Sequence, residues 1–152
     1  MRDAVLRLKF ENRTDLARPL AFLQAEALKA AGRLGDVDAL VPVPSGRGER
    51  RSRGYDVPLM LACALGRELG LPVMQALCKI RETPRQMALS GGERRKNLKN
   101  AFSARPDALL EGKRILLVDD VLTTGSTLNE CAKALRAAGA AECRGVCAAA
   151  TR

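Results

Sequence analysis

The stretch KRILLVDDVLTTGSTLNECAKALRAAGA, Lys113 to Ala140, decides the fold. Its apolar run, Ile115 to Val118, follows two basic residues and shows no polar alternation, so it reads as a strand covered on both faces. The run is expected to stop at Asp119 and Asp120. Small, hydroxylated residues follow, Thr123, Thr124, Gly125, Ser126 and Thr127, and then Leu128, Cys131, Leu135 and Ala138 recur at helical spacing. The segment is a strand, a tight loop and the start of a helix.

A helix N-terminus leaves its first N–H groups without intrahelical partners and carries partial positive charge, so a turn of small residues placed there can wrap an anion. Phosphate is the natural guest. Gly125 lets the backbone come close where a Cβ would obstruct. Open α/β sheets bind ligands at the C-terminal edge of their strands, where Asp119 and Asp120 suit sugar hydroxyls, a metal ion, or both. A plainer reading has the Thr and Ser side chains merely capping the helix. Two other settings of an acidic pair fail on sequence. A P-loop nucleotide site needs Gly-Lys-Ser/Thr upstream, which is absent, and a phosphorylated receiver domain needs a further Asp beyond the pair, where none occurs.

Outward from this stretch, Asp38 to Val43 reads as the first strand, with Pro42 marking an edge or an end. PSGRGERRSRGYD then reads as a loop whose Arg47, Arg50, Arg51 and Arg53 could take a pyrophosphate in bidentate fashion. Ahead of it, residues 3 to 33 read as helical. Val5 and Leu8 form one apolar strip; Thr14 or Asp15 caps a second helix that turns Leu16, Leu20, Leu23, Ala27 and Ala30 inward. Basic residues on these helices read as a solvated face. Val57 to Leu69 is a helix ended by Gly70, and Val73 to Ile80 a strand. KIRETPRQMALSGGERRKNLKNAF, Lys79 to Phe102, is too polar for a core element and too long for a turn, so it reads as a flexible basic lid with a hinge at Gly91 and Gly92. Glu142 to Ala150 forms the last strand.

With 152 residues the chain fits one domain, and with 3% aromatic residues its core must be Leu, Val and Ala packing. The apolar runs are far shorter than a spanning helix needs and the charged start lacks a leader pattern, which implies a soluble cytoplasmic protein. Five scattered cysteines without a CxxC pair read as buried reduced thiols rather than a zinc site. No His is present, so an imidazole base is excluded and any metal would need oxygen ligands, which favours Mg²⁺. The net charge of +9 calls for an anionic partner.

ILLVDDVLTTGST, Ile115 to Thr127, resembles over its whole length the phosphoribosyl-pyrophosphate (PRPP) signature of the type I phosphoribosyltransferases. The order VPVP (Val41 to Pro44), RGY (Arg53 to Tyr55), Thr83, Gln86, Leu89, Glu93, Arg94, Asn97, Ala101 and Phe102, followed by that signature, resembles the ComF family within them. LRLKF, Leu6 to Phe10, is similar to the Lys-aromatic segment that precedes the domain in that family. ComF proteins commonly carry an N-terminal cysteine-rich zinc module, which has no counterpart here; Arg53-Gly54-Tyr55-Asp56 stands where RGFN is usual, and no C-terminal hood is visible.

The resemblance implies a type I phosphoribosyltransferase-like α/β fold, a mostly parallel central sheet flanked by helices, as a single domain over 1–152 with a helical lead-in at 1–35 and a lid or hairpin at 79–102. It assigns Asp119 and Asp120 to the ribose 2′ and 3′ hydroxyls and, with Mg²⁺, to the metal. Thr123, Thr124, Gly125, Ser126 and Thr127 fall to the 5′-phosphate, and Ser45, Arg53, Lys79 and Arg81 to the pyrophosphate. The ligand implied is PRPP or another phosphorylated sugar, with phosphoribosyl transfer to an unknown acceptor. The alternative is a non-catalytic competence or DNA-uptake factor that binds single-stranded DNA through its basic loops. Assembly as a homodimer stays open.

Overall fold

The apolar run from Ile115 lies in a strand, β4 (Arg114–Leu122), set between β1 (Ala39–Pro42) and β5 (Glu142–Ala150) in a three-stranded parallel sheet. The structure is a computed structural model and describes residues 1–81 and 98–151. Neighbours on both sides explain why β4 is apolar without alternation: Ile115 and Leu117 enter the core on one face of the sheet, Leu116 and Val118 the core on the other. The strand does not stop at the two carboxylates. It runs through them to Leu122 because β5 continues to pair with it, Val121 opposite Ala149 and Leu122 opposite Ala150.

Three helices cover one face: α1 (Arg2–Phe10), α2 (Ala17–Ala30) and α4 (Val57–Leu69). The other face carries α5 (Ser126–Ala137) and an antiparallel pair, β2 (Leu77–Lys79) with β3 (Phe102–Ala104). This pair joins the two described ends of the basic stretch, Lys79 opposite Phe102; its middle, including Gly91 and Gly92, lies outside the described residues. Val73 adds only an isolated parallel bridge to Leu40, so the strand expected from Val73 shrinks to Leu77–Lys79.

Asp56 caps α4, its carboxylate accepting from the Leu59 N–H, and left-handed Gly70 closes the helix at the expected residue. The inward face of α2 differs from the expected one. Ala17, Leu20, Ala21, Gln24, Ala25 and Leu28 are buried while Leu23 is 49% exposed. A 3₁₀ turn over Thr14–Leu16 takes up Leu16 and resets the helical phase, and the Ala17, Ala21, Ala25 edge packs where α4 comes close. Neither Thr14 nor Asp15 caps this helix; Asp15 instead pairs with Arg13 at 2.8 Å. The Arg-rich segment expected as a loop is also regular: Arg47–Arg53 is a short helix, α3, started by Glu49 accepting from the Gly46 N–H and ended at left-handed Gly54. Of the cysteines only Cys131 is buried and Cys63 is exposed, since Cys63 falls on the outer side of α4. No helix among the described residues is long and apolar enough to cross a membrane.

At the end of the sheet opposite the carboxylates, Arg114 bonds Asp38 and Arg144 bonds Asp36 and Glu142, fastening β4 and β5 to the segment before β1. Hydrogen bonding from Arg114 holds the Asp38 carboxyl down at about 2, against about 3.9 in an unfolded chain. A depressed folded pKa stabilises the fold above the unfolded value and is lost as pH falls through the folded one. Asp38→Asn is therefore expected to lower Tm at neutral pH, with the difference from the native chain shrinking between about pH 4 and about pH 2. Thermal melts across the acid range check this, and a pH-independent difference contradicts it.

Candidate functional site

The C-terminal end of β4 opens into a hollow of about 490 Å³. It is lined by Asp119 and Asp120, by Ser45 and Lys79, by Thr123 and Thr127, and by Leu6, Lys9 and Phe10 of α1. Six of the eleven residues assigned above to ribose, phosphate and pyrophosphate therefore meet in one place. Thr124, Gly125 and Ser126 face an adjoining hollow of about 410 Å³ with Lys99, Asn129 and Lys133.

The cradle loop is open to solvent: Thr123 and Thr124 are exposed and Thr127 half-buried. Gly125 takes φ 73°, a left-handed conformation suited to glycine, and stands at the N-cap of α5 without any side-chain cap bond. The hydroxyls do little capping. Thr124 Oγ1 and Ser126 Oγ bond each other at 2.8 Å, and the Ser126 N–H reaches Thr124 Oγ1 only at 3.4 Å. The plain capping reading is thus a poor account of the loop, which keeps donors available to a ligand.

The carboxylates are less open. Asp119 Oδ1 accepts the Asp120 N–H at 2.8 Å, and Asp120 is 7% exposed. Burial first, then the charge of Asp120, pushes the Asp119 carboxyl well above the usual carboxylate range, while Lys9 pulls it back. Lys9, one of the basic residues expected on a solvated face, is instead turned to the carboxylates. Its Nζ lies 2.6 Å from Asp120 Oδ2. Helical periodicity could not reveal a partner so distant in the chain; the one available signal was the Lys-aromatic segment LRLKF.

The RGYD segment holds this arrangement. Tyr55 donates its hydroxyl to the Leu8 carbonyl at 2.5 Å, and the Arg53 guanidinium stacks on the Phe10 ring, 5.3 Å from its centroid. Asp56 accepts from the Ser45 hydroxyl at 3.1 Å and from the Ser45 N–H at 3.3 Å. Arg53 itself lines neither hollow; its side chain is buried, with Nη2 3.8 Å from Glu49 Oε1. Arg81 donates to the Lys99 carbonyl at 2.8 Å and also lies outside both hollows.

Two adjacent carboxylates offer the hard oxygen donors that Mg²⁺ prefers. Among the described residues no third Asp, Glu, Cys or His joins them, so the rest of a metal's shell would come from ligand oxygens and water. A third hollow of about 470 Å³ between α2 and β5 is lined chiefly by apolar residues such as Leu23, Leu28 and Val146, and offers little to an anion.

Residues 59–152 match the family model described as phosphoribosyl transferase domain. Competence protein F of Haemophilus influenzae is 40% identical over 143 residues, a match covering 91% of this chain and 62% of that protein. DNA utilization protein YhgH of Escherichia coli K12 is 37% identical over 138 residues, covering 88% of this chain and 60% of that one. The chain therefore spans only about three-fifths of the length of these relatives. Among solved structures, adenine phosphoribosyltransferase from Saccharomyces cerevisiae aligns with a TM-score of 0.61 at 16% identity, covering 94% of this chain and 72% of its own. The glutamine PRPP amidotransferase of B. subtilis aligns with a TM-score of 0.55 at 24% identity, covering 88% and 26%. Both share the fold.

If Tyr55 fastens α1 over the hollow, Tyr55→Phe should destabilise the protein by about 0.5–1.5 kcal/mol. Hydrogen exchange should rise in α1 and stay unchanged in β4. Uniform exchange across both elements would contradict that role.

Proposed function

The chain belongs to the phosphoribosyl transferase domain family, in its ComF branch, and from that premise we propose that it binds a 5-phosphorylated ribose, PRPP foremost, in the hollow at the end of β4. One observation carries the reading: the acidic pair and two hydroxyls of the loop, Thr123 and Thr127, line one cavity of about 490 Å³ together with Lys79 and Ser45. Asp119 and Asp120 receive the ribose hydroxyls. Thr123 and Thr127 on one side of the loop, with the N–H groups of the first turn of α5, receive the 5′-phosphate. Lys79 and Ser45 face the diphosphate. Mg²⁺, held by Asp119 and Asp120 together with ligand oxygens, would offset diphosphate charge when bound.

Transfer, if an acceptor is supplied, breaks the bond from the anomeric carbon to the diphosphate oxygen as the acceptor's lone pair forms the new bond. The diphosphate leaves with the electron pair. Such a displacement asks for positioning and charge stabilisation more than for a strong base, so a chain without His can support it.

PRPP with Mg²⁺ at about a hundredfold excess over Kd should stabilise the protein by about 2.7 kcal/mol, seen as a raised Tm. Asp119→Asn with Asp120→Asn should lose that shift. No shift at millimolar PRPP would sink the reading.

A second reading has its own support: the relatives carry the names competence protein F and DNA utilization protein, and Arg47, Arg50 and Arg51 of α3 are exposed beside the hollow. On this reading α3 binds the phosphates of single-stranded DNA. Arg50→Ala with Arg51→Ala should then flatten the slope of log K against log salt by roughly 0.7 for each phosphate that is no longer neutralised. A slope unchanged in titrations of an oligonucleotide at several salt concentrations would remove α3 from that role.

A further inference from the structure

Lys9 meets Asp120 at 2.6 Å, and both side chains are largely enclosed, 21% and 10% exposed. An ion pair in that position is not a surface accident, because either charge left without the other would be buried and uncompensated. The backbone on each side of Lys9 is fixed: Val5 and Leu8 are fully buried, the Leu8 carbonyl is bound by Tyr55, and the Phe10 ring is stacked against Arg53. The ammonium therefore lies where a cation is most needed, on a carboxylate oxygen of Asp120, and both residues line the hollow. The other charged groups lining it are Glu49 and Lys79.

We infer that Lys9 is a built-in counter-cation of the acidic pair, occupying at Asp120 the place a divalent ion would take, so that a metal enters only with an anionic ligand that draws the ammonium away. An unbranched side chain on the last turn of α1 can turn from Asp120 toward a diphosphate oxygen without moving the helix. The ligand then exchanges partners: Lys9 passes to the anion and the metal to the carboxylates. Lys9 is thus a positioning residue that couples metal entry to ligand entry. The inference deepens the sugar-phosphate reading and rests on it for the identity of the anion.

The test is Mn²⁺ binding by the full chain, followed by electron paramagnetic resonance in phosphate-free buffer. The native chain should bind Mn²⁺ weakly alone and more tightly when inorganic pyrophosphate is added. Lys9→Met should bind Mn²⁺ at least about tenfold more tightly without pyrophosphate, a modest effect for removing a unit charge a few ångströms away at an effective dielectric of about 20. Lys9→Arg should stay like the native chain, and Lys9→Met with Asp120→Asn should lose the gain. Lys9→Met binding no more tightly than the native chain, or Lys9→Arg behaving like Lys9→Met, overturns the inference. Should Lys9→Met fail to fold, acylation of lysines read by mass spectrometry decides on other variants: Lys9 should be acylated more slowly in the native chain than in Asp120→Asn, and equal rates overturn the inference. PRPP raising Tm while Lys9→Met gains no Mn²⁺ defeats this inference and leaves the sugar-phosphate reading standing. A Mn²⁺ gain without any PRPP shift does the reverse.

Discussion

Two neighbouring carboxylates on an interior strand of a parallel sheet set the terms for the rest of the molecule. Asp119 and Asp120 lie on β4 just past the end of its pairing with β1, beside β5, and burial together with the neighbouring charge of Asp120 works against ionising Asp119. A positive group must be brought to them. The chain brings one from its first helix, held there by the burial of Val5 and Leu8 and by the bond from Tyr55 to the Leu8 carbonyl. A large part of the N-terminal half can be understood as the support for one ammonium.

That dependence recasts the RGYD segment. Read as sequence, its Arg53 belonged with the other arginines as an anion ligand. In the fold, Arg53 stacks under Phe10, Tyr55 ties the end of α1, and Asp56 both caps α4 and holds Ser45 at the hollow's side. Four consecutive positions thereby connect α1, α3, α4 and the segment after β1. A motif can be specific because it joins elements around a site without touching the ligand, and residue type alone does not distinguish the two uses.

What the sequence made legible was local. α4 falls on Val57–Leu69 because a capping Asp and a terminating Gly bracket one apolar face, and β5 spans Glu142–Ala150, carrying Gly145 within it, because it pairs along β4. The core of β4 was equally plain, since four apolar residues in succession have few other uses. What stayed hidden was relational. The inward face of α2 depended on a 3₁₀ turn that no residue before Ala17 announces, and α3 was masked by glycines that look like loop residues but serve as its two ends. The Lys9–Asp120 pair joins residues at opposite ends of the chain, beyond the reach of any periodicity.

The cradle divides the same way. Its composition identified it, yet five small residues in a row say nothing of which hydroxyls face together. Gly125 at φ 73° turns the chain so that Thr123 and Thr127 open on the hollow with the carboxylates, while Thr124 and Ser126 bond each other on the side of Lys99 and Lys133. A phosphate placed against the first turn of α5 would therefore meet hydroxyls from one side and backbone N–H groups from beneath, with two lysines across the loop adding to the local positive field. The same reversal that aims the loop at an anion also keeps its hydroxyls off the helix end. N–H donors given to a capping oxygen would be lost to a ligand, and here the glycine, which has no side chain to accept them, is the residue that occupies the cap.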